Sequence, residues 1–290
     1  MINNQAMSTI NPGVLYVVAT PIGHQSDLSP RAKEVLEQVD LVLAEDTRHT
    51  GRLLKHLGIQ CRLRSLHEHN ERAITASLIE QLQKGAAIAL VSDAGTPLIS
   101  DPGFFLVREC HGHGLSVSPV PGACAAIAAL SVSGLPTDHF TFEGFLPAKS
   151  AARLATLEAL SEQKSTLVFY ESSHRILSCL ADMCQIFGEG RHATLCRELT
   201  KRYETVRSDT LFELCEWASE DADQQRGEFV IVVAGNKTSE QADDQELDKL
   251  LRVLMVDVSL KTAAGMASRY FGIAKNEAYQ RALSLKNQTD

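Results

Sequence analysis

The stretch VSDAGTPLISDPG, Val91–Gly103, sets two aspartates, two glycines and two prolines between the apolar run AAIAL and the helix-like FFLVREC. Two more glycine–proline loops, ATPIG at Ala19–Gly23 and PVPGACAA at Pro119–Ala126, follow strand-like runs. In an open parallel sheet, ligands bind beyond the carboxyl ends of the strands. Three such loops at corresponding ends therefore point to one wall of a pocket. The chain has no G-x-x-x-x-G-K-[ST] and no G-x-G-x-x-G after its first strand, which argues against a P-loop or the usual dinucleotide site. Proline lacks a backbone donor and carboxylates repel phosphate, so GTPLISDPG is a poor pyrophosphate cradle. It suits a cationic or zwitterionic small molecule, and a sulfonium nucleoside fits that description.

A second chemistry-bearing run lies between ATPIG and the strand before Val91. Arg48, Arg52, Lys55, Arg62, Arg64 and Arg72 face only Glu68 and Glu71 there, in a chain whose net charge is −8. One basic patch on an acidic protein fits a specific anionic partner better than indiscriminate polyanion binding. A solvated helix face explains the run equally well. His67–His69 and His111–His113 have no further ligands at metal-site spacing, so no metal is expected. The seven scattered cysteines, without a CxxC, suit a reducing compartment rather than a disulfide framework.

The elements that must position these residues are legible as alternation. GVLYVVAT, LVLAED, AAIALVSD and LSVSPV read as buried strands, and PRAKEVLEQVD, TRHTGRLLKHLG and NERAITASLIEQLQKG as helices. Ser29 before Pro30 is a helix start. The expected fold is α/β, with a mostly parallel sheet covered on both faces. Past SVSGLPTDH, strands at FTFEGFLP, STLVFYES, ATLCREL and GEFVIVVAG mix with helices at AARLATLEALSEQ and RILSCLADMCQIFG, predicting a second α/β domain with antiparallel pairing. The expected organisation is a disordered arm over 1–12, domains over 13–122 and 123–236, and an acidic linker with a helical tail over 237–290. NKTSEQADDQELDK is the expected linker, and the tail should form two helices around FGIAKN, a helix-turn-helix shape or a packed hairpin. No apolar run approaches the ~20 residues of a membrane span.

Together LYVVATPIG, DLSPRA, EDTRHTGRLL, SDAGTPLISDPG, PVPGACAA, FEGFLP, FYESSHR, RELTKRYE and GEFVIVV resemble the tetrapyrrole-methylase-type S-adenosylmethionine methyltransferases. They are most similar to the branch that methylates the 2′-hydroxyl of a cytidine in small-subunit (16S) ribosomal RNA. The resemblance runs from about Gly13 to Gly235 and into the tail. It implies a donor bound in the cleft between two α/β domains, and a homodimer in a bacterial cytoplasm. Tetrapyrrole relatives carry a GGDP-like loop where this chain reads DAGTP, which lowers the tetrapyrrole reading.

By that resemblance, Pro21, Gly95, Thr96, Pro97, Ile99, Ser100, Asp101, Gly122, Ala123, Cys124 and Ala125 shape the donor pocket from one side. Tyr170, Glu228 and Phe229 close it from the other. Helix or turn capping is the plain alternative for Asp93 and Asp101. A base for the acceptor hydroxyl would come from Glu45, Asp46, Lys149, Glu171 or His174, although Glu45 and Asp46 could cap a helix and Glu171 could pair with Arg175 at i,i+4. RNA would be held by Arg48, His49, Arg52, Lys55, Arg62 and Arg64. A second basic surface would comprise His174, Arg175, Arg197, Lys201 and Arg202, with Lys261, Arg269, Lys275, Arg281 and Lys286 in the tail. Small-molecule methylation of a tetrapyrrole, or a non-catalytic RNA-binding sensor of the donor, are the rival readings.

Overall fold

The computed structural model describes residues 10–271 and 273–287. The arm expected over 1–12 lies outside the described residues as far as residue 9. Ile10 packs onto the core and the Asn11 N–H donates to the Tyr16 hydroxyl at 2.7 Å, so residues 10–12 are not a free arm.

The first sheet comprises β1 (Val14–Val18), β2 (Leu41–Ala44), β3 (Leu63–Ser65), β4 (Ile88–Val91) and β5 (Ser116–Val120). All pairings are parallel, in the order β3-β2-β4-β1-β5. Helices α1 (Pro30–Gln38), α2 (Thr47–His56), α3 (Glu71–Gln83) and α4 (Phe104–Gly112) make the crossovers. Side chains alternate across a strand, so each strand feeds two cores. Tyr16, Val18, Val42 and Ala89 pack with Val35 and Leu36 of α1 and Leu54 of α2. Leu15, Leu43, Ile88 and Leu90 pack with Leu78 and Leu82 of α3 and Leu106 of α4. Covering both faces is what makes these strands continuously apolar. Ser29 caps α1, its hydroxyl accepting from Ala32 N–H at 3.1 Å, as the Ser-Pro pair predicts.

The second sheet begins after α5 (Ala125–Ser133), which packs on it. It contains β6 (Phe140–Phe145), β7 (Thr166–Ser172), β8 (His192–Arg197), β9 (Thr205–Thr210) and β10 (Glu228–Val233), in the order β6-β7-β10-β8-β9. Only β6–β7 is parallel. Helices α6 (Ser150–Leu160), α7 (Ile176–Phe187) and α8 (Leu211–Glu220) cover one face through Leu167, Phe169, Leu195 and Ile231. The opposite face, with Val168, Tyr170, Cys196, Val230 and Val232, packs on α5.

The stretch expected as an acidic linker is helical instead: α9 spans Lys237–Asp257 and therefore contains most of it. Helices α10 (Leu260–Phe271) and α11 (Lys275–Asn287) follow. Buried Ala263, Ala264, Ala267, Ala278 and Ala282 let these two approach closely, and Leu247 and Leu251 of α9 close a small core. The tail is thus three packed helices rather than a linker and two. Among the described residues, no helix is long and apolar enough to cross a membrane.

Candidate functional site

Strand order brings the three glycine–proline loops together, because β4, β1 and β5 are neighbours and their carboxyl ends lie side by side. The loops are also knitted. Thr20 and Gly95 exchange backbone hydrogen bonds at 2.8 and 3.1 Å. Gly95 does this at φ +86°, a conformation costly for any residue with a Cβ, and a Cβ there would stand 3.2 Å from Ile22. The Thr96 hydroxyl donates to the Ala123 carbonyl at 2.9 Å, joining the β4 loop to the β5 loop. Among the described residues, the non-glycine residues with positive φ are Leu98, Ser100, Glu198 and Thr200. They sit in two loops, one after β4 and one after β8, and strain of this kind persists only where surrounding contacts fix it.

Those two loops face each other across a cavity of about 380 Å³ between the sheets, within the size range of small-molecule sites. Gly95, Thr96, Ile99, Ser100, Asp101, Cys124 and Ala125 line it from the first sheet's loops, and Tyr170, Glu228 and Phe229 from the second sheet. Pro21, Pro97, Gly122 and Ala123 do not line it but stand behind it. Pro97 is buried, the Ala123 carbonyl holds Thr96, and a Cβ on Gly122 would lie 2.9 Å from the Ala19 methyl carbon. Asp93, for which capping was the plain alternative, lines it too; Ile22, Phe145, Cys196, Leu199 and Val230 also line it and were not among the expected residues. Three lining side chains form one row: Val230 is directly opposite Tyr170 on β7 and Cys196 on β8. Same-face position across neighbouring strands is the signal that finds Cys196 and Val230 once Tyr170 is known.

One end of the cavity is acidic. Asp101 is pushed up to about 6, first by burial and then by the Glu45 and Asp93 carboxylates, with a Ser92 hydroxyl hydrogen bond opposing. Glu45 is also raised, by burial first and then by Asp93 and Glu68, against a smaller pull from His67. Asp93 accepts the Asp46 N–H at 3.1 Å, tying the ends of β2 and β4 together. Burial, with Cys124 next to it, raises the Tyr170 phenol further above its ordinary value. Carboxylates crowded and desolvated in this way favour a cationic ligand. Val230, Leu199 and Ile22 add apolar lining. A ligand with a cationic end and an apolar, planar end fits this combination.

Several residues expected to act directly turn out to be engaged within the protein. Glu171 touches the cavity wall, but its side chain is fully buried; Oε1 accepts from Ser172 N–H and Arg175 Nε, both at 2.8 Å, and Oε2 from Arg175 Nη2 at 2.9 Å. Arg175 also donates to the Leu146 carbonyl at 2.7 Å, so the pair ties β7 to the turn after β6 and leaves neither partner free for base chemistry or RNA. Arg197 is buried and donates to the Arg226 and Tyr203 carbonyls, so it is no surface cation. Asp46 caps α2, accepting Arg48 N–H at 2.8 Å and the guanidinium at 2.9 Å, and these bonds hold its carboxyl down to about 2. That makes it a poor proton acceptor. Lys149 is exposed at the start of α6 and His174 is exposed before α7; neither lines the cavity.

His49, Arg52 and Lys55 are exposed on α2, whose amino end follows Glu45 and Asp46, and Arg62 is exposed just before β3; none of the four lines the cavity. Arg64 is half-buried and donates to the Ser77 hydroxyl at 3.1 Å. Lys201 lines the cavity and is held between Glu198 and Glu228 at 2.9 and 2.8 Å.

Known proteins resemble the chain at two levels. A protein from Pseudomonas aeruginosa named "Ribosomal RNA small subunit methyltransferase I" is 51% identical over 97% of this chain and 100% of its own. Its namesakes from Escherichia coli O157:H7 and Haemophilus influenzae are each 50% identical, covering 93% and 94% of this chain and 95% and 97% of theirs. Among solved structures, a diphthine synthase aligns with TM-score 0.59 at 16% identity, over 76% of this chain and 90% of its own. A Thermus thermophilus uroporphyrin-III-C-methyltransferase aligns with TM-score 0.55 at 23% identity, over 77% and 94%. At such identities these two show the shared fold alone. Residues 241–286 match the family described as the RsmI C-terminal HTH domain. Residues 14–215 match the family described as Tetrapyrrole (Corrin/Porphyrin) Methylases, and the chain belongs to that family.

Proposed function

We propose that the protein transfers a methyl group from S-adenosylmethionine to the ribose 2′-hydroxyl of a cytidine in 16S ribosomal RNA. The observation that carries this reading is the pairing of a cavity lined by both carboxylates and apolar side chains with exposed cations on α2, the helix that begins directly after Glu45 and Asp46. The relatives' name, ribosomal RNA small subunit methyltransferase I, supports the acceptor class. The acidic rim of Glu45, Asp93 and Asp101 would repel the carboxylates of a tetrapyrrole acid, which weighs against the small-molecule reading.

The donor, when bound, supplies a methyl group already activated on a sulfonium. Gly95, Thr96, Ile99 and Ser100 offer backbone and hydroxyl partners, Asp101 meets positive charge, and Tyr170, Val230 and Cys196 give the apolar wall. Proximity and alignment are then the main service of the protein. Of the carboxylates proposed as proton acceptors, Asp46 is a cap and Glu171 is engaged by Arg175, whereas Glu45 has no ion pair among the described residues and is raised toward neutrality. Glu45 does not itself line the cavity, but it lies close enough to Asp101 and Asp93 for their charges to act on one another, and it is the group we assign to hold the acceptor's proton, a task worth about 10²–10⁴-fold. Arg52, Lys55 and Arg62 hold phosphates, a positioning role without sequence readout.

In this reading the chain works in the cytoplasm as two α/β units, 13–122 and 123–236, with 237–290 added. It acts as a homodimer, a state supported by exposed Ile127 and Val132 on α5 and Phe140 and Phe145 on β6. Sedimentation at micromolar concentration tests the dimer. The reaction is tested with methyl-labelled donor on small subunits and protein-free 16S RNA from cells lacking the gene. Label on a cytidine ribose supports the reading, and donor binding without label on either substrate refutes it.

A further inference from the structure

Beside the cavity lies a second, more open groove of about 790 Å³. It is bounded by the loop Gly23–Pro30, Lys33 of α1, the carboxyl end of α2 at His56 and Leu57, and Thr200–Arg202 after β8. We propose that this groove holds the phosphodiester backbone of the RNA flanking the modified nucleotide, an inference that rests on the function proposed above.

The argument begins with charge. Among the described residues, the lining side chains include Lys33, Lys201, Arg202, His24 and His56 and no aspartate or glutamate, Asp27 of the bounding loop not being among them, in a chain of net charge −8. Local concentration of one sign against the global balance is the footprint of a polyanion site. Some of these charges are partly neutralised. Lys201 is shared by Glu198 and Glu228, and Lys33 lies 3.8 Å from Glu37. Arg202 has no ion pair among the described residues and instead lies over the ring of Tyr203, 5.4 Å from its centroid. Tyr203 is 61% exposed, so an aromatic face with a guanidinium on it stands next to the groove, a surface on which an unstacked base can lie. The Nδ1 of His24 accepts from Ser26 N–H at 3.3 Å, which leaves Nε2 protonated as a donor.

Geometry gives the second line. Lys201 lines both the cavity and the groove, so the two open beside each other. The groove floor is fixed where the two halves of the chain touch. The His24 N–H donates to the Thr200 hydroxyl at 3.1 Å, and a Cβ on Gly23 would come within 2.6 Å of both Lys201 and Thr200. The groove therefore joins both sheets on the same side as the cavity, rather than forming a stray depression on one of them. A strand presenting one ribose at the cavity would run its neighbouring phosphates past Arg202 and Lys33.

The test measures RNA affinity against salt concentration for the full-length protein and the double variant Lys33→Gln/Arg202→Gln, with donor affinity measured alongside. Removing the cation from one phosphate should reduce the log–log salt slope by about 0.7–0.9. The expected result is a slope shallower by one to two such steps, about tenfold weaker RNA binding at low salt, and unchanged donor affinity. Unchanged slope and affinity in a double variant whose parent methylates the RNA would overturn the groove while sparing the function. If the wild-type protein neither binds nor methylates 16S RNA, the function and the groove fall together.

Discussion

The backbone N–H of Ala126 donates to the hydroxyl of Tyr170 at 3.1 Å, fastening the first turn of α5 to strand β7 at the cavity wall. Phe142 and Phe145 pack edge-on against the same ring, with centroids 4.9 and 5.6 Å away. Tyr170 thus sets the distance between the loop that follows β5 and the second sheet. Tyr170→Phe keeps the aromatic packing and loses one hydrogen bond, a change of about 1 kcal/mol in stability. We expect a small fall in Tm and a several-fold loss of donor affinity, read by calorimetric titration. Unchanged donor affinity would show that the bond is dispensable to the wall.

Asp101 links pH, stability and donor binding. An unfolded chain loses the Asp101 proton near 3.8, whereas the native state keeps it up to about 6. Between those values the native state binds more protons, so this residue makes stability fall as pH rises. Asp101→Asn cannot ionise and should be more thermostable than wild type at pH 7–8. A cationic donor binds the carboxylate form better, so wild-type donor affinity should rise with pH through about 6. The asparagine variant should lack that rise and bind the donor more weakly. A stabilised variant that binds poorly is the expected trade of a functional carboxylate; a destabilised one would mean that Asp101 serves mainly as a turn cap.

How much of the fold and site is readable in the sequence depends on whether the signal is local. Strands such as Val14–Val18 and Ile88–Val91 are legible because burial on both faces leaves a run of apolar residues. Helix α8 escapes a reading by pattern although Thr210 and Glu213 carry its start, the hydroxyl accepting Glu213 N–H at 3.2 Å. Its neighbour β9 is a polar edge strand and shows little apolar alternation. Helix α5 hides in AAIAALSVS, which has almost no polar face because it packs against the second sheet. Cys196 and Val230 are beyond reach because their place at the cavity follows from register with Tyr170, not from their neighbours in sequence. Arg175 and Arg197 look like RNA contacts because a sequence shows charge and not burial.

The Glu171–Arg175 pair predicts a stability effect. Removing one partner leaves the other buried charge uncompensated, about 3 kcal/mol here, the low end of the usual range because Arg175 is a quarter exposed. Glu171→Gln should therefore lower Tm by several degrees while the folded fraction still binds the donor. Its kcat at low temperature, corrected for folded protein, should stay within a few-fold of wild type. A loss of several hundredfold at full folding would restore Glu171 as a participant in the chemistry.

Glu45 and Asp46 are adjacent in sequence and offer the sharpest contrast. Asp46 is half-buried at the cap of α2 and held down to about 2 by Arg48, so at neutral pH it has almost no affinity for a proton. Its neighbour is raised by burial and by Asp93, toward the range where a base is effective. Glu45→Gln should lower kcat by a hundredfold or more with donor affinity kept, whereas Asp46→Asn should chiefly lower thermal stability. The distinguishing readout is the pH–rate profile. Wild type and Asp46→Asn should share an acidic limb set by the raised carboxylate, rate rising as that group loses its proton, and Glu45→Gln should flatten it. If the limb persists unchanged in Glu45→Gln and vanishes in Asp101→Asn, the proton goes to Asp101, and the charge assigned here to donor binding belongs to the chemistry.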